Sequence, residues 1–562
     1  MTLRPALQPL PILLIAALAL ALRLSGIEWG LPNSLHYLSY HPDETVMLVH
    51  STTRFGPDGL DVFAGQFLPH FYNYGSLQLV LINIAISVVS AYSPGRHLGG
   101  DFAQQLFTCY LTGRVLTALM GTATVYVLWA LGRRAYSDPV GLSAALMLAI
   151  APLHLQHSHF MTVDVPATLW VTLALLWAVK AVTDDNQTRA LVVAGCFAGL
   201  AAATKYNCAL VLLPVSVAAL TNQTTATELN KTQKTLNCLA ACAAAAVAYL
   251  AACPGTILES RLFVHDFLFE AKHVSSQQEL WFQGTGIGWW YIARRNLVDG
   301  LGAPLLLTAV AGAVYAVRKH NFADLTVLAF ALPYYLLVSA AQSRYARYEI
   351  PLLPVLCLLA SRFMVELTGQ TLGAKKRGAQ LMWAGVVAYT AASAAFMLAP
   401  FLLVDPRDRA CEWLNNNVPA DAEIGMPDEP WFWTPPLSPY FSMPGPGQWI
   451  GLPDGEAEAN RIVPFYGQQN DEPTSFDSRV LTGQSPPVVV MSEYEYFDRL
   501  RLRKSDALNY MAVLSRRYTK PIVFAAPHWL GGIRYIDGLP CQDLPHDMLY
   551  DSATVLIFKR IG

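Results

Sequence analysis

His41-Pro42-Asp43-Glu44 sets two carboxylates side by side behind a proline, shortly after the first long apolar run. Proline suits the first turn of a helix, so both acids are expected at a helix N-terminus, where the backbone dipole favours the ionised form. An ionised Asp43 could accept the proton of an attacking hydroxyl, an effect worth about 10²–10⁴-fold in rate. The same tripeptide also serves as an ordinary helix start. Four other clusters carry charge that an apolar chain otherwise avoids. His157-Ser158-His159, followed by Asp164, puts an acid at the mouth of a helix and two imidazoles near it. They could hold a divalent metal, though on a spacing that is not diagnostic. Lys205-Tyr206 and Arg344-Tyr345-Ala346-Arg347-Tyr348-Glu349 supply cations suited to a phosphate, or to ordinary lipid head groups reached by snorkelling. His265-Asp266, Glu270 and His273 recur near one face of a helix. The glycine- and tryptophan-rich run from Gly284 to Tyr291 follows no strand and lacks the dinucleotide fingerprint. Its tryptophans suit a membrane interface and could also stack on sugar rings.

The elements that must hold these groups are set by composition. Of 562 residues, 54% are hydrophobic and 14% charged, against about 25% charged in soluble domains. About eleven apolar runs are long enough to span a bilayer, near 10–27, 108–131, 139–156, 166–180, 190–204, 206–220, 237–252, 297–317, 323–341, 348–367 and 380–402. The first has no small-residue cleavage site and is interrupted by Arg23, so it reads as a retained helix rather than a signal peptide. With a cytoplasmic N-terminus, the five inner loops hold 11 Lys or Arg in 50 residues, and the outer loops 9 in 141. That bias has the sign of the positive-inside rule. Residues 71–91 are apolar enough to cross, but a crossing would turn every later basic cluster outward. They are therefore expected as a helix along the outer interface. The sequons at Asn186, Asn222 and Asn230 fall in inner loops and are expected to stay unglycosylated.

Past Leu403 the character changes. Residues 405–562 hold 14 Lys or Arg and 21 Asp or Glu, a net of −7, with no spanning run. Pro486–Met491 and Ala553–Lys559 read as strands and Lys504–Arg517 as a helix. The fold class expected is an all-α polytopic membrane domain, residues 1–404, plus a small extracytoplasmic α/β domain, residues 405–562. Cys411 and Cys541 could pair there if the domain lies outside the cell. A net charge of −2 implies no affinity for nucleic acid.

Several segments in order resemble a known group: Leu22–Ile27, Tyr40–Glu44, Phe71–Ser76, Gly113–Leu116, His157–Pro166, Ala203–Tyr206 and Arg344–Pro354. Together they look like the family 39 type of lipid-carrier-dependent glycosyltransferases of the GT-C superfamily. That group is related to protein O-mannosyltransferases and to the aminoarabinose transferases that modify lipid A. The resemblance implies a GT-C fold of about 11 transmembrane helices with interfacial helices in the first outer loop. It also implies a polyprenyl-phosphate sugar donor, inverting transfer to a hydroxyl acceptor (protein, lipid or polysaccharide), and a plasma-membrane location. The implied catalytic residue is Asp43, with Glu44 and Asp164 orienting it or the acceptor. Arg344, Arg347 and Lys205 would bind the donor phosphate, and His41, Tyr74, His159, Asp266 and Glu270 are candidates for substrate contact. No cofactor is fixed by the residues; a divalent metal could be bound. Relatives often show Tyr-Pro-Pro where this chain has Asn73-Tyr74-Gly75, which leaves the acceptor pocket open. The rival reading is a transporter or lipid flippase; against it, the polar residues gather at the outer span ends rather than at the midplane of repeats.

Overall fold

The computed structural model describes residues 9–52, 54–56, 59–61, 68–92, 102–183, 187–221, 230–276, 279–419, 422–428, 430–437, 462–463, 475–526 and 533–562. The first half runs α1 (Leu10–Leu24), α2 (Pro42–Ser51), α3 (Leu77–Tyr92), α4 (Phe102–Ala135), α5 (Asp138–Ala149), α6 (Pro152–His157), α7 (Asp164–Thr183) and α8 (Gln187–Thr204). Among the described residues, seven helices are long and apolar enough to cross a membrane. The pair Gly288–Leu301 and Ala303–Lys319, bent by 117°, makes an eighth. The bend sits at Gly302, whose φ of +87° is open to a residue without a Cβ. The shorter apolar helices Leu10–Leu24, Asp138–Ala149 and Tyr206–Leu220 stand where the remaining spans are expected. The chain is a multi-pass membrane protein.

Buried charges staple this bundle together. Arg23, wholly enclosed, donates to the Ala19 and Ala149 carbonyls and meets His154 Nδ1 at 3.0 Å and Ser158 Oγ at 3.2 Å. A cation inside the first span is thus spent on the open carbonyl end of α5. Residues 71–76 are loop, and the helix expected over 71–91 starts only at Leu77. Gly75 explains the loop's path: a Cβ there would lie 1.9 Å from the Ala203 carbonyl oxygen. Of the three sequons, Asn186 and Asn222 fall outside the described residues. Asn230 is spent as the cap of helix Lys231–Ala252, accepting from Gln233 N at 2.8 Å.

The C-terminal region carries a five-stranded sheet in the order Ile462–Val463, Ile424–Gly425, Val488–Ser492, Val555–Lys559, Ile522–Phe524. The first three strands are parallel, and Val555–Lys559 runs antiparallel to both its neighbours. Alternate residues serve opposite faces. Val488, Val490, Val555 and Ile557 pack on Ala410 and Leu414 of helix Pro406–Asn417. Val489, Met491, Leu556 and Phe558 pack on Tyr496, Leu500, Tyr510 and Leu514. Cover on both faces is why the central strand reads as an unbroken apolar run. Cys411 and Cys541 are both buried thiols and form no disulfide; Cys411 donates to the Pro436 carbonyl.

Candidate active site

α2 begins with Pro42, so Asp43 and Glu44 occupy its first turn as expected. The helical turn then separates them. Glu44 points inward and is fully enclosed. Arg114 of α4 clamps it with Nε at 2.8 Å and Nη2 at 2.6 Å, while Met161 N donates at 2.7 Å and Ser39 Oγ donates as well. Burial opposes ionisation here, but the Arg114 charge and these donors override it and hold Glu44 below the ordinary carboxylate value. Arg114 also donates to the Ile27 and Trp29 carbonyls. Glu44 therefore faces no cavity. Its lone pairs are used in tying the first loop to α4, so Glu44, expected beside Asp43 to orient it or the acceptor, touches no cavity-lining group.

Asp43 points the other way, into a small cavity of about 10 Å³ lined also by Met47, Tyr74, Thr162, Val163, Asp164, Lys205, Arg347 and Tyr348. Arg347 Nη2 lies 3.2 Å from Asp43 Oδ2, with side-chain exposures of 9% and 21%. Asp164 and Lys205 meet at 2.5 Å because the start of α7 and the end of α8 lie side by side in an antiparallel pair. Lys205 Nζ sits 4.6 Å from the Tyr348 ring centre. Tyr206 OH donates to the carbonyls of Tyr72 and Tyr74 at 3.0 and 2.9 Å, fixing the loop that presents Tyr74.

A residue not singled out in the sequence completes the site. Asp547, from the C-terminal region, accepts from the backbone N–H of Ala346 and of Arg347, each at 2.9 Å. It also lies 3.6 Å from Arg347 Nη1 and is wholly enclosed. The Arg347 guanidinium thus runs between Asp43 and Asp547, lying over the Tyr345 ring at 4.1 Å. Nearby, Gln156 of α6 donates to the Met548 carbonyl and to Asp551 at 2.9 and 3.0 Å, a second tie between bundle and C-terminal region.

The other expected residues scatter. Arg344 turns away from the cavity and donates to Thr285 Oγ1 at 2.6 Å and the Gly286 carbonyl at 2.8 Å. Arg344 precedes the extended Tyr345, while Arg347 lies inside the 3₁₀ turn from Ala346 to Leu352, so the two arginines leave the chain in different directions. His159 is spent on the Leu155 and Ser25 carbonyls at 2.9 and 3.0 Å. His41 is enclosed between Phe160 and Tyr550, with ring centres at 4.4 and 4.7 Å. Asp266 holds the Tyr72 N–H at 2.9 Å, away from the cavity wall. Glu270, one turn on, is half-buried; burial raises its carboxyl above the ordinary value, and the charges of Arg347, Asp43 and Lys205 act on it. His157 and His159 do not converge: among the described residues no three His, Cys, Asp or Glu side chains form a set that could hold a metal ion.

Arg114 marks the site's depth. Twenty positions further along α4 stand Arg133 and Arg134, about 30 Å away at helical rise, which is the thickness of a bilayer's hydrocarbon core. Cavity and basic cluster thus lie at opposite ends of the span.

Residues 106–251 match a sequence-family model described as dolichyl-phosphate-mannose-protein mannosyltransferase. None of the curated protein sequences matches the chain. Among solved structures, the apo oligosaccharyltransferase of Archaeoglobus fulgidus superposes with a TM-score of 0.51 at 14% identity, over 96% of this chain and 76% of that one. The two chains share a fold. The apo structure of ArnT from Cupriavidus metallidurans gives a TM-score of 0.49 at 14% identity, covering 97% of each chain. Over residues 106–251 the family match agrees with the resemblance read from the ordered motifs.

Proposed function

We propose that the protein transfers a sugar from a polyprenyl-phosphate carrier to an acceptor hydroxyl, with inversion, at the extracytoplasmic face of the plasma membrane. The observation that carries this reading is the pairing of Asp43 with Arg347 in a cavity that also holds Asp164 and Lys205. It puts a carboxylate suited to proton acceptance beside two cations suited to a phosphate. The family match over residues 106–251 supports a lipid-phosphate donor.

In this mechanism Asp43 takes the proton of the acceptor hydroxyl as its oxygen forms a bond to the anomeric carbon. The bond from that carbon to the phosphate oxygen breaks on the opposite face, and the electron pair leaves with the polyprenyl phosphate. Arg347 and Lys205 stabilise the charge that grows there. Asp547 fixes the direction of Arg347, and Asp164 holds Lys205. Charge stabilisation is assigned to these two cations, so transfer should survive treatment with a chelator. A transporter would need no carboxylate set against the phosphate-facing cations.

The test uses purified protein and a panel of radiolabelled polyprenyl-phosphate sugars, with wild type compared to Asp43→Asn. Label should move to an acceptor, or to water, only with the wild type. Equal turnover by the variant would remove Asp43 from the chemistry. No turnover of any donor, together with movement of the intact lipid between leaflets, would favour the transporter reading.

A further inference from the structure

A second cavity, of about 120 Å³, opens between the segment 281–295 and the C-terminal region. Trp281, Tyr291, Tyr494, Phe497 and His546 line it, each partly buried. Trp281 stacks on His546 at 4.1 Å, and Tyr494 meets the same imidazole edge-on at 4.8 Å. The arginines in the wall are already matched by acids: Arg295 to Asp543 at 3.0 Å and Arg501 to Asp498 at 2.7 Å. Arg501 also donates to the Gln283 and Trp281 carbonyls at 2.9 and 3.3 Å, so the cleft's two sides are fastened together. Glu493, nearly enclosed, accepts the Gln542 N–H through Oε1 at 2.6 Å, and its Oε2 has no hydrogen-bond partner. Neither ring nitrogen of His546 has one.

This chemistry selects among ligands. Three acids, Glu493, Asp498 and Asp543, stand against two arginines in the wall, so a phosphate or carboxylate would meet an excess of negative charge. An apolar ligand would strip water from Arg295, Arg501 and the acids without replacing its hydrogen bonds. An uncharged sugar fits both halves: its C–H faces pack on aromatic rings, and its hydroxyls bond to paired charged groups whose planar atoms stay available. The position is informative too. The Tyr345 ring borders the cleft through Phe282 at 5.0 Å and His546 at 5.9 Å, and carries the Arg347 guanidinium at 4.1 Å. One aromatic layer separates this cleft from the Asp43 cavity.

We propose that the cleft between residues 281–295 and the C-terminal region binds an uncharged saccharide, the portion of the acceptor held in place while a neighbouring hydroxyl reaches Asp43. The saccharide site stands on the cleft itself; its role as acceptor anchor rests on the transferase reading above.

The experiment is saturation-transfer NMR on the purified full-length protein, in detergent, with neutral di- to tetrasaccharides of several sugars. Inorganic phosphate and a short Ser/Thr peptide serve as the contrasting classes. Saturable binding of at least one neutral saccharide at millimolar concentration is expected. It should weaken about tenfold in Phe497→Ala and Trp281→Ala, as fits the loss of one stacked ring, and persist in Asp43→Asn. Absence of saccharide binding by the wild type overturns the proposal, as does binding of phosphate or peptide in its place. A thermal melt of each variant accompanies the titration, and the wild-type result decides if a variant does not fold. A parallel polyprenyl-phosphate titration separates the two readings. Saccharide binding without lipid binding keeps the cleft and removes the transferase role; lipid binding alone does the reverse.

Discussion

Asp43 and Glu44 share a helical turn but belong to two different regions. Around Glu44, every approach is closed and four donor groups converge on one carboxylate. Around Asp43, one oxygen meets Arg347 and the side chain still opens on a cavity. The contrast separates an acid that builds from an acid that can react. Saturation with hydrogen bonds stabilises the ionised form and removes the lone pairs that chemistry would need. Partial pairing at a cavity leaves them available.

The comparison breaks most visibly at Glu44. Glu44→Ala leaves Arg114 buried without its partner, a loss of about 3–5 kcal/mol, so the protein should fail to accumulate or melt far below wild type in detergent. If that variant instead folds normally and only transfer is lost, the two acids have exchanged roles. Asp43→Asn should lower turnover by about 10²–10⁴-fold with an unchanged melting curve, measured on the same preparation. Arg347→Ala should cost about 2.7–4 kcal/mol of transition-state stabilisation. Arg347→Lys should recover only part of it, since one ammonium cannot reproduce the fork that meets both Asp43 and Asp547. Asp547→Asn keeps one acceptor oxygen for the two backbone N–H groups, loses the other and drops the charge, so kcat/KM for the donor should fall by about tenfold, the scale of a hydrogen bond to a charged group. An effect as large as that of Arg347→Ala would place Asp547 in the reacting set.

The smallest effect is on pH. Burial lifts Glu493 and Asp551 of the C-terminal region to about 7. Between about 4, where the unfolded carboxyls titrate, and about 7, the folded state binds more protons than the unfolded one. Stability of that region should therefore fall as pH rises through this window and level off above it. Glu44, with its value lowered, contributes in the opposite sense: its stabilisation is lost as pH falls through its folded value. Thermal melts across pH should show the Glu493→Gln variant with a shallower decline than wild type.

Much of this was legible in the chain. The spans follow from long apolar runs and the basic clusters between them, and the strands Val488–Ser492 and Val555–Lys559 from short β-branched runs. The ordered motifs single out Asp43 as the acid and Arg347 as a phosphate cation, and the structure sets the two 3.2 Å apart. Other features depend on rotation or distance that spacing does not encode. Which of Asp43 and Glu44 faces the cavity is decided by Arg114, a residue in a different helix. Arg344 and Arg347 diverge because the extended Tyr345 separates Arg344 from the 3₁₀ turn that carries Arg347. The cavity role of Tyr74 needed the close approach of Gly75 to Ala203. Asp547 carried no signal: a lone acid in Pro545-His546-Asp547-Met548 looks like any surface turn, and its partners lie 200 positions earlier.

That last contact orders events during synthesis. The ribosome releases Asp43 about 500 residues before Asp547, so the whole bundle can be threaded into the bilayer while Arg347 still lacks the carboxylate that aims it. A nascent or truncated chain would be a finished membrane anchor with an unaimed guanidinium, and competence would arrive only when the final strands close and carry Asp547 down onto residues 346 and 347.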